Sequence, residues 1–184
     1  MKQLFIIHGY QAGVQSHWFQ WLSDKMKPYG YNTNIVYLPN SKNPSFDDWQ
    51  NALKENLTGN LNQNTVIVAH SLGVITTLNY LSKINNMPLI KGLFLISGFI
   101  DKLENLPELD DFIEQCEINP NKIHSRHIYS IAAIHDPIVN ITASNQVSQC
   151  FGIRTHSINH VGHFLDNEGY KTFNELFEQI LKII

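Results

Sequence analysis

A chain of 184 residues, 43% hydrophobic and 16% charged, is long enough for one ordered domain and too rich in apolar side chains to be disordered or fibrous. Its formal charge of -3, with no cluster of Lys or Arg, excludes electrostatic capture of nucleic acid, and no run approaches the roughly 18 apolar residues of a membrane span. The two cysteines, Cys116 and Cys150, form neither a C-x-x-C pair nor a disulfide framework, which fits a reducing, cytoplasmic setting.

Short β-rich runs alternate with stretches of helical period along the chain. This predicts an α/β fold: one domain over residues 1–184, a three-layer sandwich around a mostly parallel sheet of about six strands. The first strand is read at residues 4–7, and the apolar run before His8-Gly9 is too short for a secretion signal. Trp18, Trp21, Leu22 and Met26 then repeat at helical spacing. A second strand at 34–38 precedes a helix through Trp49 and Leu53, opened by the capping-box-like Ser45-Phe46-Asp47-Asp48. A third strand, 66–69, runs into the apolar stripe Val74, Leu78, Leu81, and further strands are read at 93–97, 127–133 and 154–158. Residues 98–121 include Pro107 and Pro120 but no strong period, so they read as a loop or small cap over one sheet edge. The chain closes on an amphipathic helix with Phe173, Leu176, Phe177, Ile180 and Leu181, entered through a second capping-box match, Thr172 to Glu175.

The segment Val66-Ile67-Val68-Ala69-His70-Ser71-Leu72-Gly73-Val74 sets a serine between a strand run and a helix run. A nucleophile on such a turn is lifted clear of the sheet and needs small residues two before and two after, here Ala69 and Gly73. Taken alone, Ser71 reads equally well as a cap of the following helix. Two later segments separate these readings. A strand-like run at 128–134 ends in His135-Asp136-Pro137, which puts Asp136 at a strand's C-terminal end, where open parallel sheets bind ligands. After the last strand, Asn159-His160-Val161-Gly162-His163-Phe164 presents His163 on a glycine-containing loop. The chain order Ser, Asp, His, each just past a strand, is the α/β-hydrolase order of nucleophile, orienting acid and base. Asp166 is the rival acid, close in sequence to His163 and not after a strand; His156 and His160 are the rival bases. The turn Ile7-His8-Gly9-Tyr10 offers the Tyr10 N–H, with Gln11 next, as one oxyanion donor, and Leu72 N–H as the other. His8 reads as structural.

Several of these segments, Ile6-Ile7-His8-Gly9, His17-Trp18-Phe19-Gln20-Trp21-Leu22, Ala69-His70-Ser71-Leu72-Gly73, His135-Asp136-Pro137 and Gly162-His163-Phe164, resemble the small serine hydrolase family of retinoblastoma-binding protein 9 and the bacterial YdeN-like proteins. The resemblance implies a compact α/β-hydrolase with little or no lid and a triad of Ser71, Asp136 and His163. Ala69 departs from the glycine of the general hydrolase motif and is similar to the variant this family uses.

The expected activity is hydrolysis of small esters, or amides, through an acyl-enzyme on Ser71, with no cofactor and no metal. Trp18, Phe99 and Phe164 are expected to form a shallow apolar wall beside the serine. The expected partner is that small-molecule substrate; no nucleic acid or membrane is expected, and no protein partner is indicated. Two other classes compete. A non-catalytic protein-binding module on a hydrolase scaffold is opposed by the intact triad. A metal hydrolase is suggested by His156-x-x-x-His160 and His160-x-x-His163, but that spacing converges on a helix, whereas these residues follow a strand.

Overall fold

Period-two alternation decides how the sheet is buried. In β1 (Lys2–Ile7), Leu4 and Ile6 enter one apolar core while Phe5 and Ile7 enter another. The split repeats in β3 (Thr65–His70), with Val66 and Val68 opposite Ile67 and Ala69, and in β4 (Ile90–Ile96), with Phe94 and Ile96 opposite Leu93 and Leu95. Strands apolar on both sides need a helical layer on each. The computed structural model, which describes residues Met1–Ile184, has those layers. Helices α1 (Phe19–Met26) and α6 (Asn174–Leu181) cover one face; α2 (Phe46–Leu57), α3 (Leu72–Ser82) and α5 (Ile141–Cys150) cover the other.

The six strands are all parallel, in the order β2 (Tyr31–Val36), β1, β3, β4, β5 (Ser125–His135), β6 (Thr155–Val161). From β1 the chain steps outward to β2, then returns and fills the other side. The direction of winding therefore reverses between β1 and β3, where the following helices, α1 and α3, leave toward opposite faces. Such a reversal opens a crevice at the C-terminal ends of the strands.

Departures from the expected elements have local causes. Strand β2 sits earlier than expected because its partner ends at Ile7, paired with Val36; past that point Leu38 N–H donates to His8 Nε2 at 3.2 Å. Helix α5 was not foreseen: its sequence is β-branched and polar, and it is held by the Asn140 side chain accepting from Ala143 N–H and by burial of Val147. Ser45 does cap α2, accepting from Asp48 N–H at 3.3 Å, but Thr172 does not cap α6. The capping position there is Phe173, whose buried ring lies against Trp18, Phe164 and Tyr170 at centroid distances of 5.4, 4.7 and 5.0 Å, so packing sets where the helix begins. Residues 98–121 form a small cap containing α4 (Asp110–Glu114), seated by Phe112 edge-on against Trp49 and Phe46 at 5.4 and 5.7 Å. Cys116 and Cys150 are free thiols, and no helix is long and apolar enough to cross a membrane.

Gly73, in the first turn of α3, packs directly against the end of β1: a Cβ there would run into the carbonyl oxygens of His8 and Ile7, the latter at 2.7 Å, and these are backbone atoms that cannot turn aside. Gly73→Ala should lower stability by about 2 kcal/mol or more in urea unfolding, whereas Gly13→Ala, with nothing within 4 Å, should stay within about 0.5 kcal/mol of wild type.

Candidate active site

Strand β3 ends on Ser71, whose φ of 56° and ψ of -127° lie in a region that non-glycine residues rarely occupy. Such a conformation costs on the order of 1–3 kcal/mol and persists only when its surroundings impose it. Here Ser71 N–H donates to Ile96 O and Ser71 O accepts from Val74 N–H, both at 2.9 Å, locking the turn between β4 and α3. The alternative reading of Ser71 as a helix cap is not met, since its side chain accepts no amide of α3.

Asp136 and His163 leave the ends of β5 and β6 and meet beneath the same cleft. His163 Nδ1 lies 2.6 Å from Asp136 Oδ2, and both side chains are buried. The second carboxylate oxygen, Oδ1, accepts from Ile138 N–H at 2.8 Å and Val139 N–H at 3.0 Å, so the acid is fixed before it touches the imidazole. With the Nδ1 proton shared with Asp136, Nε2 carries a lone pair; it makes no hydrogen bond within the chain, and His163 lines the cleft with Ser71.

Both expected oxyanion donors are uncommitted. Tyr10 N–H has no backbone acceptor, while the neighbouring Gln11 N–H is used by Ser41 O at 2.8 Å. Leu72 is the first residue of α3, so its N–H has no acceptor within the helix. Gly9 brings the two turns together: a Cβ on it would meet Ser71 Cβ at 2.7 Å and Leu72 N at 3.2 Å.

The rivals are engaged elsewhere. Asp166 pairs with His17, Oδ1 to Nδ1 at 3.3 Å, and not with His163. His156 is exposed on β6, and His160 Nε2 faces Glu168 at 3.6 Å. These histidines do not converge, and no three His, Cys, Asp or Glu side chains gather as a metal-ligating set.

The expected apolar wall is a correction. Trp18, Phe99 and Phe164 are fully buried core residues: Trp18 and Phe164 pack with Phe173 beneath α1 and α6, and Phe99 lies in the opposite core. A cleft of about 240 Å³ over Ser71 is walled instead by Tyr10, Ala12, Leu106, Ile138 and Leu165, with His17, Gln11 and Asn105 as polar groups. Three of these sit one or two residues from positions the sequence had singled out: His17 beside Trp18, Ile138 after Asp136, Leu165 after His163. Larger clefts exist, such as a 550 Å³ groove between α2 and α3 with Lys54 and Lys83, but none brings a strained serine beside a His–Asp pair.

The family model described as Serine hydrolase matches residues 4–182. The chain belongs to the serine hydrolase family. The Bacillus subtilis (strain 168) protein YdeN is 33% identical over 178 residues, covering 96% of this chain and 93% of its own. The crystal structure of the B. subtilis ydeN gene product superposes with a TM-score of 0.93 at 32% identity, covering 100% of this chain and 98% of that one. At the level of fold alone, Est1E from Butyrivibrio proteoclasticus with bound ferulic acid matches with a TM-score of 0.67 at 16% identity, over 98% of this chain and 90% of that one. The fold is thus that of the α/β-hydrolases.

This family member surrounds its serine with further imidazoles. His70 donates from Nε2 to His163 O at 2.9 Å, and its ring lies 4.7 Å from that of His163. Burial, reinforced by His163 and His17, holds the His70 imidazole well below the ordinary histidine value; burial likewise lowers His8 and His17, in His17 against the pull of Asp166. A buried neutral histidine takes up its proton more readily in the unfolded chain, so folding is unpenalised above the ordinary value of about 6.5 and loses stability as pH falls below it. Urea unfolding should therefore show stability falling between pH 7.5 and 5.5, by at most about 1.4 kcal/mol per pH unit for a proton wholly excluded at His70. His70→Asn should flatten that slope; a slope as steep as wild type's in the variant assigns the effect to other groups.

Proposed function

We propose that the chain is a carboxylesterase-like hydrolase that cleaves small esters through an acyl-enzyme on Ser71, with His163 as base and Asp136 as its orienting acid. One observation carries the reading: His163, tied to Asp136 at 2.6 Å, shares a cleft with a serine held in a left-handed turn. A non-catalytic binding module leaves that pairing without a role.

In the proposed cycle His163 Nε2 takes the Ser71 proton as Oγ attacks the ester carbonyl, and Asp136 fixes the imidazole tautomer and stabilises the imidazolium. The Tyr10 and Leu72 N–H groups receive the developing oxyanion, each contributing about 3–4 kcal/mol by analogy with oxyanion donors removed elsewhere. Collapse expels the alcohol, protonated by His163, and water then repeats the sequence on the acyl group. Amides follow the same route with a poorer leaving group.

Three measurements test this. Wild type should label with a fluorophosphonate and Ser71→Ala should not; equal labelling of the two folded proteins removes the nucleophile assignment. Asp136→Asn should lower kcat by about 10⁴-fold with the fold retained by circular dichroism. Near-normal turnover there, with a large loss in Asp166→Asn, would transfer the acid's role. Because the cleft is about 240 Å³, kcat/KM for p-nitrophenyl esters should peak at short acyl chains, each methylene inside it contributing about 0.8 kcal/mol and each beyond it nothing. A steady rise to lipase-length chains would contradict the small-ester assignment.

A further inference from the structure

Ser71 is held by backbone hydrogen bonds to the end of β4 and to α3, and the Asp136 carboxylate by two amides of its own loop. His163 stands on a loop after the edge strand β6, and that loop is strained. Gly162 has φ of +149°, and Phe164 has φ of +59°, an outlying conformation for a bulky residue. Two amides of this segment converge on one carboxylate. Glu168 Oε2 accepts from His163 N–H at 2.7 Å and from Leu165 N–H at 2.9 Å, bridging the amides on either side of the strained Phe164.

Gly162 is shaped to this carboxylate. A Cβ there would sit 2.5 Å from Glu168 Oε2 and 2.6 Å from both Glu168 Cδ and His160 Nε2, so the absent side chain is what lets the carboxylate reach the loop. His160 stacks on Phe164 at an interplanar angle of 16° and closes the far side. His163 is thereby restrained at three points: ring by Asp136, carbonyl by His70 Nε2, and amide by Glu168. The flanks are held as well, Gly162 N–H donating to His135 O at 3.3 Å and the Phe164 ring being buried, but the His163 amide itself is held by Glu168.

We propose that Glu168 is a positioning residue for the reaction, its carboxylate clamping the His163 loop so that Nε2 stays in the cleft with Ser71. This rests on the reading of His163 as the base. A base displaced by about 1 Å loses on the order of 100-fold in rate, and because Leu165 is one of several residues walling the cleft, the loss falls mainly on kcat.

The test compares Glu168→Gln, Glu168→Asp and Glu168→Ala with p-nitrophenyl butyrate, expressing kcat per serine titrated to completion with a fluorophosphonate. A clamp needs an acceptor at the right reach. The Gln variant should therefore keep kcat within about fivefold of wild type, while the Asp variant, one methylene short, and the Ala variant lose about 100-fold in kcat with a smaller change in KM. If Asp keeps activity and Gln loses it, charge near the imidazolium matters and not the hydrogen bonds, which overturns the clamp. If all three match wild type per titrated site and differ only in the number of sites, Glu168 is merely structural, which also overturns it. Failure of the underlying reading shows separately, as wild-type turnover that survives Ser71→Ala.

Discussion

The Ser71 turn can close only because no side chain stands at three neighbouring positions. A Cβ on Gly9 would meet Ser71 Cβ, one on Gly73 would meet the Ile7 and His8 carbonyls, and one on Gly98 would meet Val74 Cγ1 at 2.6 Å. These glycines belong to the segments after β1, β3 and β4, which are adjacent only because the sheet pairs Ile7 with Ala69 and His70 with Ile96. A one-residue slip of either pairing would bring a side chain into the elbow and turn the core faces of a strand around. The strain at the serine is therefore imposed by the register of the central sheet, and the site inherits the rigidity of the most buried strands. Strain at Gln11, His17 and Phe164, all with positive φ, gathers around the same cleft, as expected where surroundings over-determine the backbone.

Much of this was legible in the sequence because its signals are local to the chain. A run such as Val66-Ile67-Val68 is apolar on both faces whatever surrounds it, so six strands and a three-layer architecture could be read directly. The order of Ser71, Asp136 and His163 after strands was readable for the same reason. Features fixed by distant partners were not. The end of β2 depends on where β1 stops, and α5 is a poor helix former held by its cap and by the core. The apolar wall failed because aromatic size reports hydrophobicity and not which way a ring points. Trp18 precedes α1 and turns inward onto Phe19 and Phe173, while His17, one residue earlier and in a left-handed conformation, lines the cleft.

The histidines near Ser71 divide into one paired with a buried carboxylate and others whose protonation burial disfavours. If His163 takes the Ser71 proton, as proposed, the cation forms with the His70 ring 4.7 Å away. A charged His70 would oppose that step, and its burial removes the opposition. Neutral, it still does something a smaller apolar residue cannot, since its Nε2–H satisfies the His163 carbonyl. His17 stands 5.7 Å from His70 and has Asp166 beside it, so the acid that a sequence reading could mistake for the triad member serves a different imidazole.

The cap forms one wall of the cleft over Ser71. Tyr10 OH donates to Glu108 at 3.1 Å, tying the cap to the oxyanion turn, and Asn105 Nδ2 donates to Ile138 O at 3.0 Å, tying it to the loop that holds Asp136. Phe112 anchors its far end against Trp49 and Phe46. The segment is thus tied on both sides of the cleft and packed onto α2 through Phe112. Leu106 is held between these ties and forms part of the cleft wall, so the volume above Ser71 is set by the same contacts that fold the cap. Enlarging the cleft at Leu106 would mean breaking either the tie to the turn after β1 or the tie to the Asp136 loop, both of which border Ser71 through Tyr10 and Ile138. The volume of the cleft and the placement of the residues around Ser71 are in this way one constraint.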